Sequence, residues 1–180
     1  MGSPSEPSPV KLFFAILFSD EEKLFEAIKF ISEKNGEIDF KSMPLDFDET
    51  DYYKQEMGEN IKRIFISIKK LIKPDEIVDI KKQSTELENI LSVDGKRKVN
   101  IDPGYMDFSK LVLATYKGGG CKIYIRDGVW IDIMLRYEKG SFQSFPWTFP
   151  DFAKGKYFPI LLSIRKIYKL QMKEIRSKIL

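Results

Sequence analysis

The chain has 180 residues, 43% apolar and 32% charged, with 30 Lys+Arg, 27 Asp+Glu, one Cys and no His. That length suits one domain with an ordinary core. Lack of His removes imidazole acid–base steps, Ser-His and Cys-His dyads and His-ligated metals, and the lone Cys121 excludes an intrachain disulfide or a thiolate zinc cage.

Residues 1–9 alternate Pro and Ser without the basic start or apolar stretch of a signal peptide, and read as a disordered leader. A single α+β domain is expected over residues 10–180. No apolar run approaches the roughly 20 residues that span a bilayer, so a cytoplasmic location is expected. Richness in Lys, Glu and Ile with few Gln, Asn and Cys points to a thermophile.

Val10 to Phe18 is apolar almost throughout, which predicts a central strand covered on both faces. Ser19-Asp20-Glu21-Glu22 reads as a capping box opening a helix with Leu24, Phe25, Ile28 and Ile31 at helical spacing, closed by Asn35-Gly36. Glu37 to Leu45 alternates, and Pro44 marks an edge or strand end. Asp46 to Gly58 is an acidic connection with a short helix expected from Thr50 or Asp51. Ile64, Ile66 and Ile68 then predict a half-buried strand. Pro74 opens a second helix whose apolar side carries Ile77, Ile80, Leu87 and Leu91. With a strand from Val99, the order is β-α-β-β-α-β, which predicts a ferredoxin-like core.

Phe108 to Tyr116 suits either helix or strand. Asp127-Gly128 predicts a hairpin between Cys121–Arg126 and Val129–Tyr137, and Lys139-Gly140 a further turn. Pro159 opens a C-terminal helix with Ile160, Ile164, Ile167, Tyr168, Met172 and Ile175 inside. The full expectation is a ferredoxin-like core, an antiparallel hairpin extension and a C-terminal helix.

Charge is uneven along the chain. Residues 1–60 carry 6 basic and 14 acidic side chains, and residues 61–180 carry 24 and 13. Either two oppositely charged parts of one fold lie together, or the basic part meets a polyanion such as nucleic acid.

Three segments could carry chemistry. In Asp46–Asp51, clustered carboxylates could hold Mg²⁺, with Asp48 and Asp51 as ligands, or cap a helix; Tyr52 and Tyr53 could cover a planar ligand or simply pack. In Asp94–Tyr105, Lys96 and Arg97 could bind phosphate, Asn100 and Asp102 share one strand face, and Tyr105 closes the segment. Asp102-Pro103-Gly104 also suits a turn. Lys117-Gly118-Gly119-Gly120-Cys121 could turn amides toward phosphate or lead flexibly into the hairpin, with Cys121 a partly buried strand residue. None of these completes a Walker A loop or a dinucleotide fingerprint. Pro146–Phe152, with Trp147, could line a pocket, stack a base or cover the end of the sheet.

These stretches carry a resemblance. Val10-Lys11-Leu12-Phe13 with Ser19-Asp20, Phe47 to Tyr53 through Glu56-Met57-Gly58, Thr85 to Glu88, Val99 to Tyr105 and Pro146 to Asp151 together resemble an uncharacterised bacterial and archaeal domain-of-unknown-function family, DUF4416, whose members are often labelled GTP-binding protein. The resemblance covers about one domain and implies no catalytic residues.

Two functions follow. One is binding of a small phosphate-bearing ligand, a nucleotide such as GTP with Mg²⁺. Arg97 and Lys96 would meet phosphates, Asp48 with Asp51 or Asp102 the metal, and Tyr52, Tyr53 or Trp147 the base. The alternative is a non-catalytic nucleic-acid or protein-interaction module built on the basic half.

Overall fold

In the computed structural model, residues 2–48 and 53–178 are described. Strand β1 (Val10–Phe18) is buried at every position because it lies mid-sheet. β4 (Lys62–Ile72) pairs it antiparallel on one side and β5 (Val99–Met106) on the other. Beyond β4 lie β2 (Ile38–Lys41) and the short β3 (Leu45–Asp46). Beyond β5 come β6 (Lys110–Thr115), β8 (Val129–Glu138) and the edge strand β7 (Ile123–Arg126); β9 (Ser141–Ser144) also pairs β8. The described strands form one nine-stranded open sheet, ordered β2-β4-β1-β5-β6-β8-β7, with antiparallel pairing throughout.

Alternation along β1 feeds two cores, since successive strand residues face opposite ways. Leu12, Phe14 and Ile16 face α1 (Glu21–Asn35) and α3 (Ile77–Ile90), packing with Leu24, Ala27, Ile77 and Ile80. Phe13 and Ala15 face the opposite side, where α4 (Pro150–Ala153) and α5 (Phe158–Ser177) contribute Phe152, Leu161 and Ile164. A third cluster joins Leu17, Phe47, Met57 and Ile61 beside α2 (Lys54–Met57).

Several local expectations change. The cap of α1 is Asp20, whose carboxylate accepts from the Lys23 amide at 3.0 Å, while the Ser19 hydroxyl is buried without a partner. The start expected at Thr50 or Asp51 for the short helix lies outside the described residues; α2 is described from Lys54. Phe108 to Tyr116 resolves as a turn and β6, because Leu111, Val112, Leu113 and Ala114 are buried from both faces. Cys121 is exposed, since β7 begins two residues later. On α5, Leu161 and Arg165 are buried, whereas Ile160, Ile167 and Ile175 are half-buried. Both hairpin turns form with positive φ, at Asp127-Gly128 and Lys139-Gly140.

The segment Asp102-Pro103-Gly104 is strand, not turn. A Cβ on Gly104 would stand 2.2 Å from the Val112 carbonyl and 2.7 Å from the Phe13 ring, so glycine here serves close approach of β6. Pro103 has no amide to donate, and β5–β6 pairing spans only Gly104–Met106 against Leu111–Leu113. Towards Val99 the two strands part. That parting makes the site.

Candidate functional site

Where β5 leaves β6, its backbone needs other partners, and α3 supplies them. The Glu88 carboxylate accepts from the Ile101 amide at 2.5 Å, and the Lys81 ammonium reaches the Ile101 carbonyl at 3.4 Å. Alternate amides of a strand point the same way, so Glu88 stands where a β6 carbonyl would have been. Lys81, Ser84 and Glu88 all lie within the otherwise apolar buried stripe of α3.

The gap is a cleft of about 230 Å³ lined by Tyr53, Lys81, Thr85, Glu88, Arg97, Asn100, Asp102, Leu113–Lys117, Asp132 and Phe149. Tyr116 and Phe149 are exposed at its rim. Larger depressions exist, one of about 520 Å³ between α1 and residues 41–44, but its lining is mainly apolar side chains such as Phe25 and Met43. Its ionisable lining residues, Glu21 and Lys41, are exposed. Buried ionisable groups converge in the β5–β6 cleft, so it is the better candidate.

Within the cleft the polar groups form one connected network. Arg97 holds Glu56 bidentately, Nε to Oε1 and Nη2 to Oε2, both at 2.5 Å. Its Nη1 donates to Asn100 Oδ1 at 2.8 Å and to Glu88 Oε2 at 3.3 Å. Asn100 donates to Asp102 Oδ2 at 2.9 Å, and Lys81 reaches Asp102 Oδ1 at 3.4 Å. Four of the five guanidinium N–H groups of Arg97 are thereby engaged. The hydrogen bond from Arg97 holds the Glu56 carboxyl below its ordinary range, and the same bond keeps Arg97 firmly charged. Burial pushes the Glu88 carboxyl up, against the pull of Lys81 and the Ile101 amide.

Asp132 differs from the rest. It projects from β8 opposite Leu113, is 3% exposed, and burial raises its carboxyl. Its Oδ1 has no hydrogen-bond partner, and its Oδ2 lies 3.8 Å from Lys122 Nζ.

Of the residues singled out in the sequence, Tyr53, Arg97, Asn100 and Asp102 come together in this cleft. Tyr52 and Asp51 lie outside the described residues. Asp48 is exposed, 3.9 Å from Lys156, and lines a separate open depression. Lys96 is exposed on the turn closed by the Val93–Lys96 bridge. Tyr105 is buried on the α1/α3 side, where burial raises its phenol. Trp147 stacks on Phe145 at 4.8 Å and donates to the Ile133 carbonyl at 3.1 Å; its neighbour Phe149 reaches the cleft. Among the described residues, no group of three or more acidic or thiol side chains could hold a metal ion.

Sequence reading missed Lys81, Glu88 and Asp132. The available signal was a charge where the pattern demands an apolar residue: Lys81 and Glu88 on the inner stripe of α3, Asp132 between Ile131 and Ile133.

A family model described as "Domain of unknown function (DUF4416)" matches residues 8–168. No curated protein and no solved structure matches the chain. Among the described residues, no helix is long and apolar enough to cross a membrane.

Proposed function

The chain belongs to the DUF4416 family, and from that premise we propose that it binds a small phosphate-bearing ligand, most concretely a nucleotide, in the cleft where β5 and β6 part. The observation that carries this reading is the buried Asp132, a residue of the cleft lining that has one carboxylate oxygen without a hydrogen-bond partner. An unmet buried acceptor costs about 1–3 kcal/mol, which a ligand donor would recover. Lys81 and Lys117 supply positive charge for phosphate, and Tyr53, Tyr116 and Phe149 supply rings for a base.

Arg97 then acts as a positioning residue, because its donors already hold Glu56, Asn100 and Glu88. At about 230 Å³ the cleft is below the roughly 300–1,000 Å³ of a site enclosing a drug-sized ligand, so it would take one moiety and leave the rest at the mouth. Of the expected Mg²⁺ ligands among the described residues, Asp48 and Asp102, only Asp102 lines it, so a metal arriving with the polyphosphate suits it best. The strand order β2-β4-β1-β5 is also what supports reading residues 10–106 as a ferredoxin-like core.

The test is a thermal-shift titration with GTP, ATP and their diphosphates, each with and without Mg²⁺. A ligand at 100 times its Kd adds about 2.7 kcal/mol, or roughly 5–10 °C for a chain of this length. A rise that Lys81→Met abolishes is expected. A flat panel overturns the proposal.

A further inference from the structure

Asp102 is the acid of the cleft lining that solvent reaches best. Its side chain is 24% exposed, against 5% for Glu88 and 4% for Asp132. Its Oδ2 accepts from Asn100 at 2.9 Å and its Oδ1 faces Lys81 at 3.4 Å, and each carboxylate oxygen has room for a second donor. Lys81 is also short of partners. Among the described residues its ammonium reaches Asp102 and the Ile101 carbonyl, both at the long distance of 3.4 Å, and a third N–H remains to be given.

These charges limit what the inner cleft can take. A phosphate against Asp102 would meet Glu88 and Asp132 as well, and a cationic group would meet Lys81. A neutral group with two adjacent O–H donors meets neither objection and serves both oxygens of Asp102. A vicinal diol is such a group, and an acidic side chain holding ribose hydroxyls is the same chemistry.

The rim sets the direction of the ligand. The Tyr116 ring lies 5.8 Å from the Lys81 ammonium, and Tyr116 and Phe149 are both exposed. A base stacked on Tyr116 would carry its sugar inward to Asp102, leaving the phosphate to the third N–H of Lys81 and to the exposed Lys117. The one moiety that a cleft of about 230 Å³ encloses is then the sugar.

We infer that Asp102 accepts the 2′- and 3′-hydroxyls of a ribose, so that the site takes ribonucleoside phosphates over their 2′-deoxy counterparts whatever the base. This rests on the cleft's being a nucleotide site and adds the group that is recognised there. A free sugar phosphate offers the same diol, and the experiment tells the two apart.

Calorimetry measures binding of ADP, GDP, their 2′-deoxy forms and ribose 5-phosphate to the full chain and to Asp102→Asn. Each ribonucleotide should bind roughly tenfold or more tighter than its 2′-deoxy form, the worth of one hydrogen bond to a charged group. Ribose 5-phosphate, without a base to stack, should bind more weakly than either. Asp102→Asn loses the charge and one acceptor oxygen, so the preference for ribose should nearly vanish. Equal binding of ribo and deoxy forms, or a preference that survives Asp102→Asn, overturns the inference and leaves the nucleotide proposal standing. Binding of ribose 5-phosphate alone, lost in Asp102→Asn, upholds the diol contact and overturns the nucleotide. Binding of none overturns both. Should Asp102→Asn fail to fold, Asp102→Ser decides by the same criterion.

Discussion

Replacing Asp132 with Asn removes a charge from a place where the fold does not reward it. The carboxylate is 3% exposed, one oxygen is unpartnered, and Lys122 is too distant for a hydrogen bond. An unmet buried acceptor costs about 1–3 kcal/mol. Asn keeps the shape but leaves an amide imperfectly satisfied, so a gain near the lower end, about 1 kcal/mol, is expected at neutral pH. For a chain of this length that is roughly 2–4 °C in Tm. The pH dependence gives the mechanism away. Burial raises the folded-state pKa of Asp132 above its unfolded value. The native protein therefore holds the extra proton between those values, and its stability falls as pH rises through that window. The advantage of Asp132→Asn should be full at pH 7.5 and shrink to nothing once pH drops below the ordinary carboxylate range. Thermal unfolding of both proteins by circular dichroism from pH 3.5 to 8 reads it. Losses from other carboxylates are common to both and cancel in the difference. A variant that is less stable at pH 7.5, or equally advantaged at every pH, would refute the reasoning and return Asp132 to a supporting ion pair. A residue kept at a cost to stability is what a binding role leads one to expect.

Other outcomes follow from the same network and its frame. Arg97→Ala leaves Oε2 of the buried Glu88 and Oδ1 of Asn100 without their donor, and should cost about 2–3 kcal/mol in urea unfolding; a loss under 0.5 kcal/mol would contradict its central place. Glu56, held low by Arg97, contributes stability present above the ordinary carboxylate range and lost as pH falls through its depressed folded value, so Glu56→Gln should flatten the acid limb of a stability–pH profile. The effect is small, because Glu56 is partly solvated. Gly104→Ala drives a methyl into the Val112 carbonyl and should cost about 3 kcal/mol, seen as a fall in urea midpoint; near-wild-type stability would mean β5 and β6 are not pressed together there. Lys11→Met strips Asp39 and the Ile68 carbonyl of a fully buried donor, and should destabilise more than Lys11→Met combined with Asp39→Asn.

What was legible in the sequence was whatever local pattern decides. The apolar run Val10–Phe18, Pro74 and Pro159 at helix starts and Asp127-Gly128 at a hairpin each translate directly into geometry. The alternation after Arg63 gives strand β4, but not a half-buried one: Arg63 to Ile68 are buried on both faces, with Ile64, Ile66 and Ile68 in one core and Phe65 in the other. The site was only half legible. Asn100 and Asp102 share a face because they are two apart on a strand, and that periodicity is local. Arg97 looked available for phosphate because its partner Glu56 is 41 residues away, and no local pattern pairs them. The Asp-Pro-Gly turn expectation failed for a tertiary reason: Pro103 ends a ladder and Gly104 admits a neighbouring carbonyl, both services to β6. Asp132 stood in plain view as a charge inside an apolar strand, and only the parting of β5 and β6 gives that charge a purpose.

The most direct measurement of the central claim is amide chemical-shift mapping of the isotope-labelled chain on addition of GDP. Perturbations centred on Lys81, Thr85, Asn100 to Asp102, Ala114 to Lys117 and Asp132 are the expected result. Perturbations centred instead on Phe25 and Met43, or along α5, or none at saturating nucleotide, would contradict it.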